Sequence, residues 1–385
     1  MKNRMIAQDI AKGLAVIVVL WFHAAARLSS FNLYPLIPFA YVMAFYFIIS
    51  GYNYKSGRRS IGQSIWLRFK QLLIPLFVYC VLSSIVTLCV SLPNGYDFKS
   101  NAYGFLSSLF MSETLKAFKI DVAFGVTNAF SYAPSTIASW FVWYMFFGYC
   151  LFYCIADFIL KKNYRFFISV PLLVGLTVLL AWLLEDVNVP FNLYYTPLVT
   201  AFLLTGSYFK KAQIFEEKKI PLVWNIIICV VLAAACTTTY LLKIDVGGKL
   251  RNGIGRFAGG NGTAMLGVVE IPITFVLGVA CTYYFVNFCR LLAKVKFLQK
   301  PLSFLGENSL GIYLFQFCIL SALGILFGLG NAPIGQEPAV WEIILKFFIT
   351  FAISTVVSYY VGKLLKLIFT PRPKKEEEVK NDQSC

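Results

Sequence analysis

The 385-residue chain has one histidine, and charged residues make up only 14% of it. Soluble domains carry about 25% charged residues, so this scarcity excludes an ordinary water-soluble globule. The single histidine and the lack of any CxxC pair remove the spacings that hold structural zinc. Ten cysteines are present. Cys80, Cys89, Cys150, Cys154, Cys229, Cys236, Cys281, Cys289 and Cys318 lie in apolar runs, where a thiol serves as a small hydrophobe. There is no GxSxG nucleophile elbow and no P-loop. No internal repeat is visible, so an inverted-repeat transporter has no direct support. No stretch reads as a separate soluble domain.

What is present is apolar. Hydrophobic residues make up 59% of the chain and mean hydropathy is +0.72. The expected fold is all-α, a polytopic membrane protein of about ten transmembrane helices. The spans are predicted at 10–27, 35–54, 71–92, 136–160, 166–185, 190–209, 221–243, 264–289, 303–329 and 338–368. The first run follows basic residues, as a signal peptide does. It lacks a small-residue cleavage site and more spans follow at once, so it reads as a retained helix. The last two runs are long enough to tilt or to pass beyond the membrane. One membrane domain is expected over 1–370, with a short charged tail over 371–385.

The net charge of +16 reads as a topology signal, not as a nucleic-acid footprint. Basic residues concentrate in alternate segments: Lys2 and Arg4; Lys55, Arg58, Arg59, Arg68 and Lys70; Lys161, Lys162 and Arg165; Lys210, Lys211, Lys218 and Lys219; Arg290, Lys294, Lys296 and Lys300; and the C-terminal segment. The intervening segments are poorer. This alternation predicts both termini on the cytoplasmic side of a plasma membrane, with lipid as a partner and no nucleic acid. Two outer segments stand apart. Residues 93–135 are long and aromatic and could fold over the outer face. Residues 247–262 are glycine-rich and carry Arg251 and Arg256. They read either as a loop whose backbone approaches an anion or a sugar, or as a plain connection.

Ionisable residues inside a span are expensive. In "DIAKGLAVIVVLWFH", Lys12 and His23 are eleven residues apart. At 100° per residue they share one helix face, separated along the axis by roughly 16 Å. His23 reads as a general base or as an interfacial histidine bonded to a carbonyl. Lys12 reads as a functional cation or as one snorkelling to head groups. Glu270, about one turn into its span, could orient an imidazole, bind a sugar hydroxyl, pair with Arg251 or Arg256, or bond a neighbouring helix. Arg58, Arg59, Arg68 and Lys70 form a basic cluster that suits phosphates and equally suits anionic lipid.

Five segments, in order, resemble the acyltransferase-3 family of integral-membrane O-acyltransferases, and within it the sugar and polysaccharide O-acetyltransferases. They are "DIAKGLAVIVVLWFH", "FAYVMAFYFIISGYNYKSG", "WLRFKQLLIPLFVY", "SWFVWYMF" and "LSFLGENSLGIYLFQ". The resemblance implies transfer of an acetyl group from cytoplasmic acetyl-CoA, a co-substrate and not a bound cofactor, to a hydroxyl on an extracytoplasmic carbohydrate. It implies His23 as the essential histidine and Lys12 as its basic partner, where Arg is commoner. It implies a phosphate clamp at the basic segment, although Gln71 stands where a second arginine is usual. Gln316 stands where relatives often have a further histidine. Candidate acceptor-binding groups are Trp140, Trp143, Arg251 and Arg256; candidate donors to the tetrahedral intermediate are Asn308, Ser309 and Tyr313. The competing reading is a transporter or flippase of a glycan or lipid-linked intermediate.

Overall fold

A computed structural model describes residues 6–25, 42–57, 59–95, 97–125, 139–184, 187–215, 227, 231, 264–330 and 338–369, without the side chains of 42, 264–270 and 369. Among these residues there are helices and turns and no strand. The helices are α1 (Ile6–Ala24), α2 (Val42–Tyr52), α3 (Ile61–Ser91), α4 (Phe98–Phe110), α5 (Ser112–Ala117), α6 (Ile120–Phe124), α7 (Trp140–Leu160), α8 (Asn163–Leu183), α9 (Thr196–Lys211), α10 (Ala264–Leu292), α11 (Lys296–Glu307), α12 (Ser309–Phe327) and α13 (Val340–Phe369). Seven described helices are long and apolar enough to cross a membrane: α1, α3, α7, α8, α10, α12 and α13. The shorter α2 falls within the predicted 35–54 span, and α9 overlaps the predicted 190–209 span and runs two residues past it. The span at 221–243 and the tail at 371–385 lie outside the described residues.

Two boundaries differ from expectation for physical reasons. Helix α3 begins ten residues before the predicted span. Ser60 and Gln63 close a reciprocal capping box, with Gln63 N donating to Ser60 Oγ at 3.3 Å and Ser60 N donating to Gln63 Oε1 at 3.2 Å. Arg68 and Lys70 therefore sit on a helix, not in a loop. The predicted 303–329 span is broken at Asn308, whose amide donates to the carbonyls of both Phe304 and Leu305. Residues 98–124 form three short helices, α4 being too short to span a bilayer.

α1 and α12 are buried at the centre of the bundle, whereas α8 and α13 lie at its edge. The edge helices leave Phe167, Leu172 and Leu179, and Phe348, Val356 and Leu364, exposed. A row of apolar side chains of this kind faces lipid in a membrane protein.

Two glycine crossings bring helix pairs into backbone contact. Gly13 of α1 and Gly306 of α11 each bring backbone against backbone. A Cβ on Gly306 would collide with the Asp9 carbonyl, and one on Gly13 with that of Leu302. Gly51 of α2 and Gly206 of α9 repeat the arrangement against Leu203 and Ile48, and Ser207 Oγ donates to the Gly51 carbonyl at 2.8 Å. Gly306→Ala is therefore expected to destabilise the protein by about 1–3 kcal/mol through overpacking. Gly175→Ala on α8, where a Cβ meets nothing within 4 Å, is expected to leave the thermal unfolding midpoint in detergent unchanged or slightly raised.

Candidate active site

The basic segment between α2 and α3 lines a cavity of about 270 Å³. Its walls are Asn53, Tyr54, Lys55, Arg59, Ser64, Leu67, Arg68, Gln71 and Tyr153. Arg68 is held from three sides. Its Nε donates to the Tyr153 hydroxyl at 2.8 Å, its Nη1 donates to Gln71 Oε1 at 2.9 Å, and its guanidinium lies 4.1 Å from the Tyr149 ring centroid. Tyr149 and Tyr153 stack on one face of α7. Gln71 thus does not act as a second cation. It fixes the fork of the first.

The opposite wall is tied down by polar contacts. Tyr54 and Ser56 donate to Asp157 Oδ1 at 2.7 and 2.6 Å, and Lys210 Nζ donates to the Tyr54 carbonyl at 2.6 Å. Burial, helped by the Asp157 carboxylate, pushes the Tyr54 phenol above its ordinary pKa, so it stays a donor. Lys55 and Arg59 stand exposed at the rim. The cavity therefore presents three cations, one of them the fixed guanidinium fork of Arg68, a chemistry suited to phosphate. Lys70 points elsewhere, over the Trp66 ring at 5.1 Å, and does not line the cavity. Arg58 lies outside the described residues.

The cavity touches the foot of α1. Asn53 in its wall donates to Gln8 Oε1 at 3.2 Å. One turn further along α1, Lys12 lies 3.7 Å from the buried Asp9 carboxylate. The carbonyl of Lys12 accepts from the Tyr46 hydroxyl at 3.1 Å. Ser309 and Tyr313 lie beside the same hydroxyl. At the other end of α1, His23 packs on Phe317 of α12 with ring centroids 4.3 Å apart. Leu20 and Ala24 share a cluster with Leu320. Helices α1 and α12 therefore run side by side in the same direction, with Ser309 at the level of Lys12 and Phe317 at the level of His23.

This arrangement redistributes the sequence candidates. The imidazole of His23 faces α12. Ser309 and Asn308 sit at the level of the foot of α1, not beside His23, and both are engaged locally: Ser309 Oγ donates to the Gly306 carbonyl at 3.0 Å and Asn308 Nδ2 to that of Phe304 at 2.8 Å. Tyr313 lies between the two levels, against Phe141. Glu270 falls on α10 with its side chain outside the described ones, as Arg251 and Arg256 lie outside altogether.

An acyltransferase domain model, that of acyltransferase family 3, matches residues 6–362. The chain belongs to this family. No curated protein and no solved structure matches it.

In this acyltransferase the two tryptophans of α7 differ in what they contact. Trp143 Nε1 donates to the Leu109 carbonyl at 2.7 Å, and its ring lies 4.4 Å from that of Phe191. It fastens α4 and the 190–195 turn to the bundle. Phe191 and Asn192 both adopt left-handed backbone conformations there, which non-glycine residues keep only when their surroundings hold them. Phe191 N donates to Thr114 Oγ1 at 2.8 Å and Asn192 Nδ2 to the Tyr144 hydroxyl at 3.1 Å. Trp143→Phe leaves a carbonyl without its donor and is expected to cost about 1 kcal/mol. The check is faster limited proteolysis within 98–124. Trp140 packs edge-on against Phe141 and Tyr144.

Lys55, Gln71, Tyr149, Tyr153 and Asp157 were not among the sequence candidates. The four-residue spacing of Tyr149 and Tyr153 was visible in the sequence, but their partner is 85 residues away from Tyr153.

Proposed function

We propose that this membrane acyltransferase moves an acetyl group from cytoplasmic acetyl-CoA to a hydroxyl of an extracytoplasmic cell-surface glycan. The observation that carries the reading is continuity. The cationic cavity reaches α1 through the Asn53–Gln8 contact, and the Lys12–His23 face runs on from there toward the opposite end of the bundle. Coenzyme A is a polyanion with a long flexible arm. Its phosphates sit among Lys55, Arg59 and Arg68, and the arm follows α1 toward His23, roughly 22 Å from Gln8 along the helix. On this reading the basic segments face the cytoplasm of a plasma-membrane protein.

The acceptor hydroxyl enters from the other side, past the Trp140 end of α7. Its oxygen attacks the thioester carbonyl as His23 takes its proton. The C–S bond then breaks, the thiolate leaves, and the proton is returned to it. A variant of this route has His23 accept the acetyl group first and pass it on. Label retained on the protein when the acceptor is withheld would mark that variant. Lys12, paired with Asp9, keeps positive charge at the foot of α1.

The test uses the purified full chain in lipid vesicles, with acetyl-labelled acetyl-CoA outside and an isolated cell-envelope polysaccharide fraction inside. Labelled O-acetyl ester on the polysaccharide, with matching release of coenzyme A thiol, supports the reading. Polysaccharide movement without thiol release would replace it with a transporter.

A further inference from the structure

Gln316 of α12 is completely buried, and neither Oε1 nor Nε2 of its amide has a hydrogen-bond partner among the described residues. A buried, unpartnered primary amide is a costly group to keep, because it has lost water and gained nothing in exchange. Such groups call for an explanation in function or in a partner that arrives later. Leucine or methionine would fill the same volume without that cost.

The position of Gln316 supplies the explanation. Ser309, Tyr313 and Gln316 follow one another at steps of four and three residues, which places them on one face of α12. That face meets α1 and α2: Ser309 and Tyr313 lie beside Tyr46, whose hydroxyl holds the Lys12 carbonyl. The next residue after Gln316 is Phe317, on which the imidazole of His23 packs. Gln316 lies about 1.5 Å along the axis and about 100° round the helix from Phe317, on the same face as Leu320, which packs with Leu20 and Ala24 of α1. The amide offers two N–H donors and no charge.

We propose that Gln316 is a catalytic residue that donates a hydrogen bond through Nε2 to the thioester carbonyl oxygen of the acyl donor held at His23. As the acceptor oxygen bonds to the carbonyl carbon, negative charge grows on that oxygen, and a preplaced donor in a dry site stabilises it. The C–S bond breaks, the electron pair leaves with the thiolate, and the proton travels by way of His23; Gln316 keeps both of its own protons. This role rests on the acyl-transfer reading above.

The experiment compares wild type with Gln316→Leu and the volume-matched Gln316→Met, as full chains in vesicles with acetyl-CoA and the polysaccharide fraction. Three readouts are taken: kcat, the acetyl-CoA Kd by equilibrium dialysis, and the thermal unfolding midpoint. The expected result is a fall in kcat of at least tenfold, an unchanged Kd, and a midpoint that is equal or higher, since removing an unpartnered polar group does not weaken the fold. A purely structural glutamine would move these the other way, lowering the midpoint. Wild-type kcat in either variant overturns the proposal, as does a fall in kcat that tracks a fall in stability for both. A wild-type protein that transfers no acetyl group fails the functional reading itself, a result distinct from an active wild type with active variants.

Discussion

Replacing His23 with alanine is expected to reduce acetyl transfer by about 10²–10⁴-fold, the range typical of a lost general base. Binding of acetyl-CoA is expected to be unchanged, because the cationic cavity lies at the far end of α1 from His23. The loss should therefore appear in kcat and not in the donor Kd. The side chain is half-buried against Phe317, so packing must be separated from chemistry. His23→Gln, which keeps a planar polar group near the same size, serves that purpose: it should fold like the wild type and remain inactive. A His23→Gln protein with wild-type turnover would remove the imidazole from the reaction.

The second large effect is expected at Arg68. Hydrogen bonds to a charged group are worth about 1.5–3 kcal/mol, so Arg68→Ala should raise the KM for acetyl-CoA by roughly ten- to a hundredfold with little change in kcat. Arg68→Lys keeps the charge but gives up the planar fork and the stacking on Tyr149. It should recover only part of the affinity. Raising the ionic strength should weaken donor binding further, since Lys55 and Arg59 at the rim are exposed and open to screening. Lys363→Ala on α13, a basic side chain near the Tyr359 ring and outside the cavity wall, should leave the KM unchanged. An Arg68→Ala protein with normal affinity for acetyl-CoA would detach the cavity from the donor.

The sequence was most informative where one helix carried the whole message. Lys12 and His23 share a face because a helix has a fixed period, and that relation needed no tertiary information. The apolar runs likewise located most of the described helices, since their length follows from bilayer thickness. Boundaries suffered where two signals conflicted. At Ser60–Gln63 the capping box was present in the sequence, but the density of basic residues argued for a loop, and the cap prevailed. At Asn308 the apolar run is interrupted by Gly306, Glu307, Asn308 and Ser309, too short a polar stretch to separate two spans by hydropathy, and the seating of Gly306 against Asp9 accompanies the division of the run into α11 and α12. The cavity was the least legible element. Arg68 meets Tyr149 and Tyr153 from another helix, and Tyr54 meets Asp157 across 103 residues. No periodicity within a segment encodes such meetings. Gln71 is instructive in a different way. As a letter it was a missing cation; in place it is the acceptor that aims the cation next to it.

The paired glycine crossings also bear on how the protein can move. Where two helices touch through their main chains, no flexible side chain remains between them to absorb sliding or rotation. The α1–α11 and α2–α9 pairs thus act as cross-braces at the cavity end of the bundle. A machine that works by rocking its halves needs a lubricated seam there, and this one is clamped. On the acyl-transfer reading, the chemistry proceeds without sliding along either of these two contacts.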